Sequence, residues 1–204
     1  VGMKYSKVIF VGDSRTVGMY ATLNKQIGSS SSSGVSFVAS AGQGLSWFQS
    51  EGYAKLLKEV EKAEGSLPVA VVFNLGVNDM ANASNYVSYM TNIASTLKSK
   101  NCKLFYMSVN PLNSTMITKA GKGSRTEAQV REFNSKIRSG LSANYKYIDT
   151  YSVLMKTGYG TNASYNGEDS VSDDGLHYTT KTFKRIYYYC VIYLNTGSID
   201  SFYY

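Results

Sequence analysis

Five stretches of the chain are almost continuously apolar and rich in β-branched or aromatic residues. They lie at residues 7–12, 35–40, 69–76, 103–109 and 146–150. A strand with one solvated face alternates between apolar and polar positions, whereas a strand of a parallel sheet is buried on both faces. The pattern therefore predicts five strands of a parallel sheet that is covered on both sides.

Segments of helical length separate these predicted strands. They lie at about residues 15–27, 46–64, 83–100, 124–143 and 179–195. Regular alternation of strand and helix is typical of a doubly wound α/β domain, with helices on both faces of the sheet. Since there is no internal repeat and no change of composition, we predict a single domain over residues 1–204.

Two long polar segments, residues 110–123 and 157–173, each follow a predicted strand and are rich in Gly, Asn and Ser. The carboxyl ends of parallel strands lie at one edge of the sheet, where open α/β sheets bind ligands. We therefore expect both segments at the functional edge. A Ser-rich segment at residues 28–34 predicts only a flexible surface loop.

The composition narrows the class of protein. Hydrophobic residues make up 43% of the chain and charged residues 17%, which indicates a globular protein. A formal charge of +7 favours anionic surroundings, such as nucleic acid, an acidic cell-wall polymer or a membrane surface. There is no dense basic run or nucleic-acid-binding motif, and no apolar run of the ~20 residues that a membrane span needs. We predict neither a nucleic-acid partner nor a membrane span.

The chain has few of the residue types that bind metals or cofactors. The chain has one histidine and two cysteines, Cys102 and Cys190, which are too few for a metal site of their own. We predict no metal and no cofactor, and we favour two buried free thiols over a disulfide. The sequence lacks an initiating Met and a signal peptide, so we expect a domain excised from a longer secreted or membrane-anchored protein.

A serine stands at the exit of the first predicted strand. Ser14 follows Gly12 and Asp13, where a helix begins. The unpaired N–H groups and the dipole of a helix N-terminus favour negative charge, so a hydroxyl placed there can act on a ligand. Serine is also a preferred N-cap residue, and this motif alone leaves both interpretations open.

The single histidine lies just before the last predicted helix. Asp174 precedes His177 by three residues, a spacing at which a carboxylate in a tight turn can reach the imidazole Nδ1–H. Such a carboxylate orients the ring and stabilises it when Nε2 takes a proton. Asp173 is an alternative partner, but it is one residue further from the histidine.

Two further turns carry candidate hydrogen-bond donors. Asn78 lies in a Gly-x-Asn-Asp turn after the third strand, and its side-chain NH₂ is suited to a developing oxyanion. Gly42 and Gly44 follow the second strand, and a glycine lets a backbone N–H approach a ligand closely. We prefer Gly42 because it comes sooner after the strand.

Together these four places resemble the SGNH hydrolase superfamily, which is also known as the GDSL-like esterases. The motifs read GDS at residues 12–14, AGQG at 41–44, GVND at 76–79 and DDGLH at 173–177. Each is weak alone, but all four occur in order after successive strands. The resemblance covers nearly the whole domain.

The resemblance implies a three-layer α/β/α flavodoxin-like fold with strand order 2-1-3-4-5. It implies Ser14 as nucleophile, His177 as base and Asp174 as the acid that orients it. It also implies an oxyanion hole formed by Ser14, Gly42 and Asn78.

The substrate is less constrained. Arg15, Trp47 and Asp79 are candidate substrate contacts, and Arg15 stands where many family esterases carry a small or apolar residue. We expect a serine esterase that removes small acyl groups, above all acetyl, from carbohydrate or a cell-wall polymer. The alternatives are an O-acetyltransferase acting on peptidoglycan or surface polysaccharide and a non-catalytic carbohydrate-binding module. An extracellular or cell-surface location in bacteria is favoured over the cytoplasm, and the oligomeric state stays open.

Overall fold

The sheet has the predicted topology. The computed structural model describes residues 4–27 and 34–199, so most of the predicted loop at 28–34 lies outside the described residues. The strands are β1 (Lys7–Gly12), β2 (Val35–Ala39), β3 (Val69–Asn74), β4 (Cys102–Met107) and β5 (Lys146–Ile148). They pair in parallel in the order β2-β1-β3-β4-β5, which confirms the fold class.

Helices cover both faces of the sheet. They are α1 (Ser14–Thr22), α2 (Leu45–Trp47), α3 (Tyr53–Glu61), α4 (Ala83–Ser99), α5 (Ser114–Lys119), α6 (Glu127–Gly140), α7 (Thr150–Thr157) and α8 (Thr180–Thr196). Side chains alternate between the faces along β1. Ile9 and Val11 pack in the cluster that includes α3, α4 and α6, whereas Val8 and Phe10 pack in the cluster that includes α1, α7 and α8. Both faces are apolar, which explains why the strands read as continuous apolar runs.

The structure departs from the predicted elements in two kinds of place. The helix predicted at 46–64 comprises α2, a π-helical turn at Phe48–Gly52 and α3. The polar segment 110–123 contains α5, and α7 lies between the predicted strand at 146–150 and the segment 157–173. The segment 157–173 contains one strand of a two-stranded hairpin, and the other strand follows it. That hairpin pairs β6 (Thr161–Asn162) with β7 (His177–Tyr178) in antiparallel register. These elements are too short to show a hydrophobic period.

Two further expectations concern thiols and membranes. Cys102 and Cys190 are both buried and free, which confirms the preference for thiols over a disulfide. Within residues 4–27 and 34–199, no helix has both the length and the apolar character that a membrane crossing requires.

Candidate active site

Ser14 is the first residue of α1 and not its cap. The N-cap is Asp13, whose carboxylate accepts a hydrogen bond from the N–H of Arg15 at 3.0 Å. The N–H groups of Thr16 and Val17 donate to the Asp13 carbonyl oxygen. The Ser14 hydroxyl is therefore not used for capping, and the alternative interpretation of the GDS motif is wrong.

The Ser14 hydroxyl contacts the histidine instead. Its Oγ lies 2.8 Å from His177 Nε2, and His177 Nδ1 lies 2.6 Å from Asp174 Oδ2. Because a carboxylate only accepts hydrogen bonds, Nδ1 carries the proton and Nε2 is left to accept from the serine. This chain of contacts can move a proton from Ser14 to His177, which is what a serine nucleophile requires.

The Asp174 carboxylate is held by its own turn. Its other oxygen, Oδ1, accepts from the backbone N–H groups of Leu176 and His177, at 2.9 and 3.0 Å. Burial alone would raise the pKa of Asp174, but the hydrogen bonds from the His177 ring and these two N–H groups outweigh it and lower the pKa to about 2. Asp174 is therefore ionised throughout the neutral range.

The Asp173 carboxylate accepts its hydrogen bonds from residues other than His177. Its Oδ1 accepts from Thr161 Oγ1 and from the Gly175 N–H, both at 2.8 Å. Gly175 has a φ of +71°, and a Cβ there would lie 2.3 Å from the Asn113 carbonyl oxygen, so this turn requires glycine. The geometry therefore favours Asp174 over Asp173 as the partner of His177.

Asp13 is a second buried carboxyl beside the serine. Burial raises its pKa to about 6, although the charge and the N–H of Arg15 partly offset that effect. Its position at the cap directs it to the helix N-terminus, and its described hydrogen bond goes to Arg15. We therefore assign Asp13 to the structure of the strand exit.

The predicted oxyanion donors sit on neighbouring turns. Asn78 Nδ2 donates to the Gln43 carbonyl oxygen at 2.9 Å, which joins the GVND turn to the AGQG turn. Gly44 is packed tightly, since a Cβ there would lie 2.4 Å from Asp79 Oδ2. Gly42 is exposed and has a φ of +75°, and a Cβ added there would have no atom within 4 Å. This environment is compatible with Gly42 as the residue that presents its N–H to a ligand.

Replacing Asn78 with alanine tests this arrangement. We expect kcat for ester hydrolysis to fall about 10²- to 10³-fold with little change in KM, because an oxyanion donor acts mainly in the transition state. Steady-state kinetics on 4-nitrophenyl acetate measure both constants. Asn144→Ala, at the opposite edge of the sheet, is the control. A rise in KM at constant kcat would make Asn78 a substrate-binding residue instead.

The three residues predicted to contact substrate are buried or make hydrogen bonds within the protein. Arg15 and Trp47 are buried, with 4% and 7% of their surfaces exposed. Asp79 accepts from the Leu45 N–H at 2.9 Å and from the Tyr86 hydroxyl at 2.6 Å, so both of its oxygens are engaged. These contacts give the residues structural roles: Asp79 holds the turn that carries Asn78, and Trp47 belongs to the core. Their contact with substrate stays a prediction.

Arg15 joins the segments around the site. Its guanidinium donates to the carbonyl oxygens of Leu176, Asn110 and Pro111, at 2.8, 2.7 and 3.0 Å. It also lies over the Tyr178 ring, 4.7 Å from the centroid. These partners are 95 to 161 residues away along the chain. The residue that follows Leu176 is His177, so Arg15 fixes the backbone that presents the histidine.

We expect Arg15→Met to lower the free energy of unfolding by about 3 kcal/mol or more, because three buried carbonyl oxygens lose charged donors. Urea denaturation measures the change. The matched control is Arg138→Met, since the Arg138 side chain is 63% exposed and its ion pair should contribute less than about 1 kcal/mol. Equal effects of the two substitutions would contradict the structural role of Arg15.

Tyr165 is a site residue that the sequence did not single out. Its ring stacks on His177 with centroids 4.5 Å apart and an interplanar angle of 25°. Its segment is anchored by Asp169, whose carboxylate accepts from the Thr180 N–H at 2.8 Å. Tyr165 remains 38% exposed, so it borders the histidine from the solvent side. A tyrosine in an Asn-rich loop was the available signal, but it did not identify this contact.

A large cavity of the described structure lies away from these residues. It has a volume of about 730 Å³ and is lined by residues near the start of β4 and β5, including Lys103 and Lys146. None of Ser14, Asp174 and His177 lines it. Size alone would misplace the site, so the hydrogen-bonded serine, histidine and aspartate define the candidate active site.

A three-layer α/β/α domain with a hydrogen-bonded serine and histidine at the carboxyl edge of its sheet is typical of a serine hydrolase, and comparison with family models specifies the family. Residues 8–189 match the family model described as GDSL-like Lipase/Acylhydrolase. The chain belongs to this family, within the SGNH hydrolase superfamily, and it is an esterase. A search of curated protein sequences finds no significant match.

Solved structures share the fold at low sequence identity. The acetyl xylan esterase AlAXEase has a TM-score of 0.62 at 16% identity, covering 91% of this chain and 98% of its own. A lipolytic G-D-S-L family protein from Veillonella parvula has a TM-score of 0.59 at 16% identity, covering 93% and 98%. The psychrotrophic esterase EstA from a Pseudoalteromonas species has a TM-score of 0.57 at 15% identity, covering 94% and 100%.

Proposed function

We propose that this chain removes small acyl groups, above all acetyl, from carbohydrate or a cell-wall polymer through an acyl-serine intermediate. The observation that carries the proposal is the continuous contact of Ser14 with His177 and of His177 with Asp174. It supplies the nucleophile and the base that ester hydrolysis needs.

The reaction follows from these contacts. Ser14 Oγ attacks the ester carbonyl carbon while His177 Nε2 takes the hydroxyl proton. The oxyanion that forms is stabilised by donors from Ser14, Gly42 and Asn78. As the ester C–O bond breaks, His177 returns the proton to the leaving alcohol and an acyl-serine remains. His177 then takes a proton from water as the water oxygen attacks the acyl carbon. The bond between that carbon and Ser14 Oγ breaks, His177 returns the proton to Oγ, and the acid leaves.

A polar cavity lies next to the AGQG and GVND turns, and we connect it with a carbohydrate substrate. Ser14, Asp174 and His177 do not line it, so it would hold a part of the substrate away from the ester. It has a volume of about 320 Å³, and Leu45 is one of its lining residues. The Leu45 N–H donates a hydrogen bond to the carboxylate of Asp79, the residue that follows Asn78. Its lining is rich in side-chain amides and has one aromatic ring: Gln49, Asn82, Asn85, Asn92 and Tyr89. Amides bind sugar hydroxyls as donors and acceptors, and an aromatic face packs on a sugar ring. The exposed Tyr165 adds a second aromatic face, next to His177.

One of the structural neighbours is an acetyl xylan esterase, which agrees with this substrate class. Because the likeness at 16% identity concerns the fold alone, the proposal rests on the cavity and the aromatic residues. An extracytoplasmic location is part of the same proposal, since a polymeric cell-wall substrate lies outside the cytoplasm.

The test compares 4-nitrophenyl esters of increasing acyl length and then a set of acetylated glycans, with free acetate as the readout. We expect kcat/KM to fall with acyl length and acetate to be released from at least one glycan. A sugar acceptor offered in parallel detects acetyl transfer. Preference for long acyl chains would contradict the proposal, and binding of glycans without turnover would indicate a binding module.

A further inference from the structure

Arg125 is a cationic side chain at the site to which no role has been assigned. It lies two residues before α6 and is half-buried. Its Nη1 donates to Asn78 Oδ1 at 3.2 Å. A guanidinium has five N–H donors, and among the described residues this is the one hydrogen bond that Arg125 makes.

This contact sets the orientation of Asn78. Because Arg125 donates to Oδ1, the amide oxygen of Asn78 points to the guanidinium, and Nδ2 points to the Gln43 carbonyl oxygen. Arg125 therefore lies directly beside a predicted oxyanion donor, and most of its own donors are left for another acceptor.

The charges that the structure describes around Arg125 are mixed, and none of them forms an ion pair with its guanidinium. Desolvation lowers the pKa of Arg125 and so does the charge of Arg15, whereas Asp13 and Asp174 raise it. In the described part of the chain, no carboxylate lies within ion-pair distance of Arg125 or of Arg15. A half-buried cation without a counter-ion is costly, and a bound anion would offset that cost.

We propose that Arg125 binds a carboxylate in the alcohol portion of the substrate, which makes the natural substrate an acetyl ester of an acidic sugar. The inference deepens the proposed function and rests on it for the sugar. A planar guanidinium can bind a carboxylate through two parallel hydrogen bonds. The alcohol portion is the place for the charge, because the proposed acyl group is too small to carry it. The formal charge of +7 suits an acidic polymer.

A pair of aryl esters that differ by one charge tests the carboxylate site without any sugar. The pair is 4-acetoxybenzoate and methyl 4-acetoxybenzoate. We expect Arg125→Gln to lower kcat/KM for the anionic ester about 10- to 100-fold, mainly through KM. For the neutral ester we expect a smaller loss that falls on kcat rather than on KM, since it reflects only the positioning of Asn78. Comparing each variant with the wild type for each ester cancels the difference in leaving-group reactivity.

Two variants serve as controls. Lys122→Gln removes the same charge from an exposed residue of the same segment and should affect both esters alike, by less than about 3-fold. Arg125→Lys keeps the charge and loses the planar donor pair, so it should retain part of the preference. An equal loss on both esters with Arg125→Gln would overturn the proposal and leave Arg125 as a positioning residue for Asn78.

A second pair tests the sugar, namely acetylated methyl glucuronoside and acetylated methyl glucoside, with free acetate as the readout. We expect the acidic sugar to be preferred at low salt and the preference to shrink with Arg125→Gln. If Arg125 discriminates the aryl pair but neither sugar is hydrolysed, the proposed carbohydrate function fails while the carboxylate site stands. An Arg125-dependent preference for mono(4-nitrophenyl) succinate over 4-nitrophenyl acetate would place the charge in the acyl group and overturn the proposal.

Discussion

Replacing Ser14 with alanine lowers kcat for ester hydrolysis by about 10⁴- to 10⁶-fold, because the reaction loses its nucleophile and the acyl-serine cannot form. The fold should survive. The Ser14 hydroxyl takes no part in capping α1, and its one described hydrogen bond goes to His177. Kinetics on 4-nitrophenyl acetate and urea denaturation measure the two effects separately.

A fluorophosphonate probe gives an independent readout of the same assignment. The wild type should be labelled at Ser14, and the Ser14→Ala variant should not be labelled. Ser139→Ala, on the exposed face of α6, is the matched control and should keep full activity and labelling. Activity of the Ser14→Ala variant above a few per cent of the wild type would show that another residue is the nucleophile.

The features of the fold that the sequence predicted are those that repeat along the chain. Strands buried on both faces appear as apolar runs, and their alternation with helices predicts the layers. The strand order came from the family resemblance and is confirmed. The short elements α5 and α7 and the β6–β7 hairpin escaped prediction, because their positions depend on contacts across the fold. Asn113, for example, caps α5 and also donates its backbone N–H to the Gly175 carbonyl oxygen.

The residues of the candidate site also fall into two groups, those that local motifs predicted and those whose contacts depend on the fold. Local motifs identified Ser14 and His177, which the structure brings within 2.8 Å although they are 163 residues apart. The hydrogen bonds of Arg15 were not predicted, because its acceptors come from two distant segments that no local pattern reveals. The contacts of Tyr165 with His177 and of Arg125 with Asn78 escaped for a related reason. They connect loops whose mutual positions are determined by packing.

Replacing Asp174 with asparagine should lower kcat by up to ~10⁴-fold while leaving KM nearly unchanged, through the tautomer of His177. The backbone N–H groups of Leu176 and His177 both donate to Oδ1, so the amide oxygen of the asparagine must take that place. Its NH₂ then faces Nδ1 and donates to it. The ring proton moves to Nε2, which can no longer accept the proton of Ser14. Asp173→Asn is the matched control and should retain most of the activity, since Asp173 binds Thr161 and Gly175 instead.

The same substitution has a second, pH-dependent signature. The pKa of Asp174 is lowered to about 2 in the folded protein, whereas an unfolded Asp titrates near ~3.9. Its contribution to stability is therefore fully present above about pH 4 and is lost as the pH falls towards 2. Urea denaturation at several pH values should show this loss in the wild type and a weaker one in Asp174→Asn. An Asp174→Asn variant with near wild-type kcat would exclude this serine–histidine–aspartate mechanism.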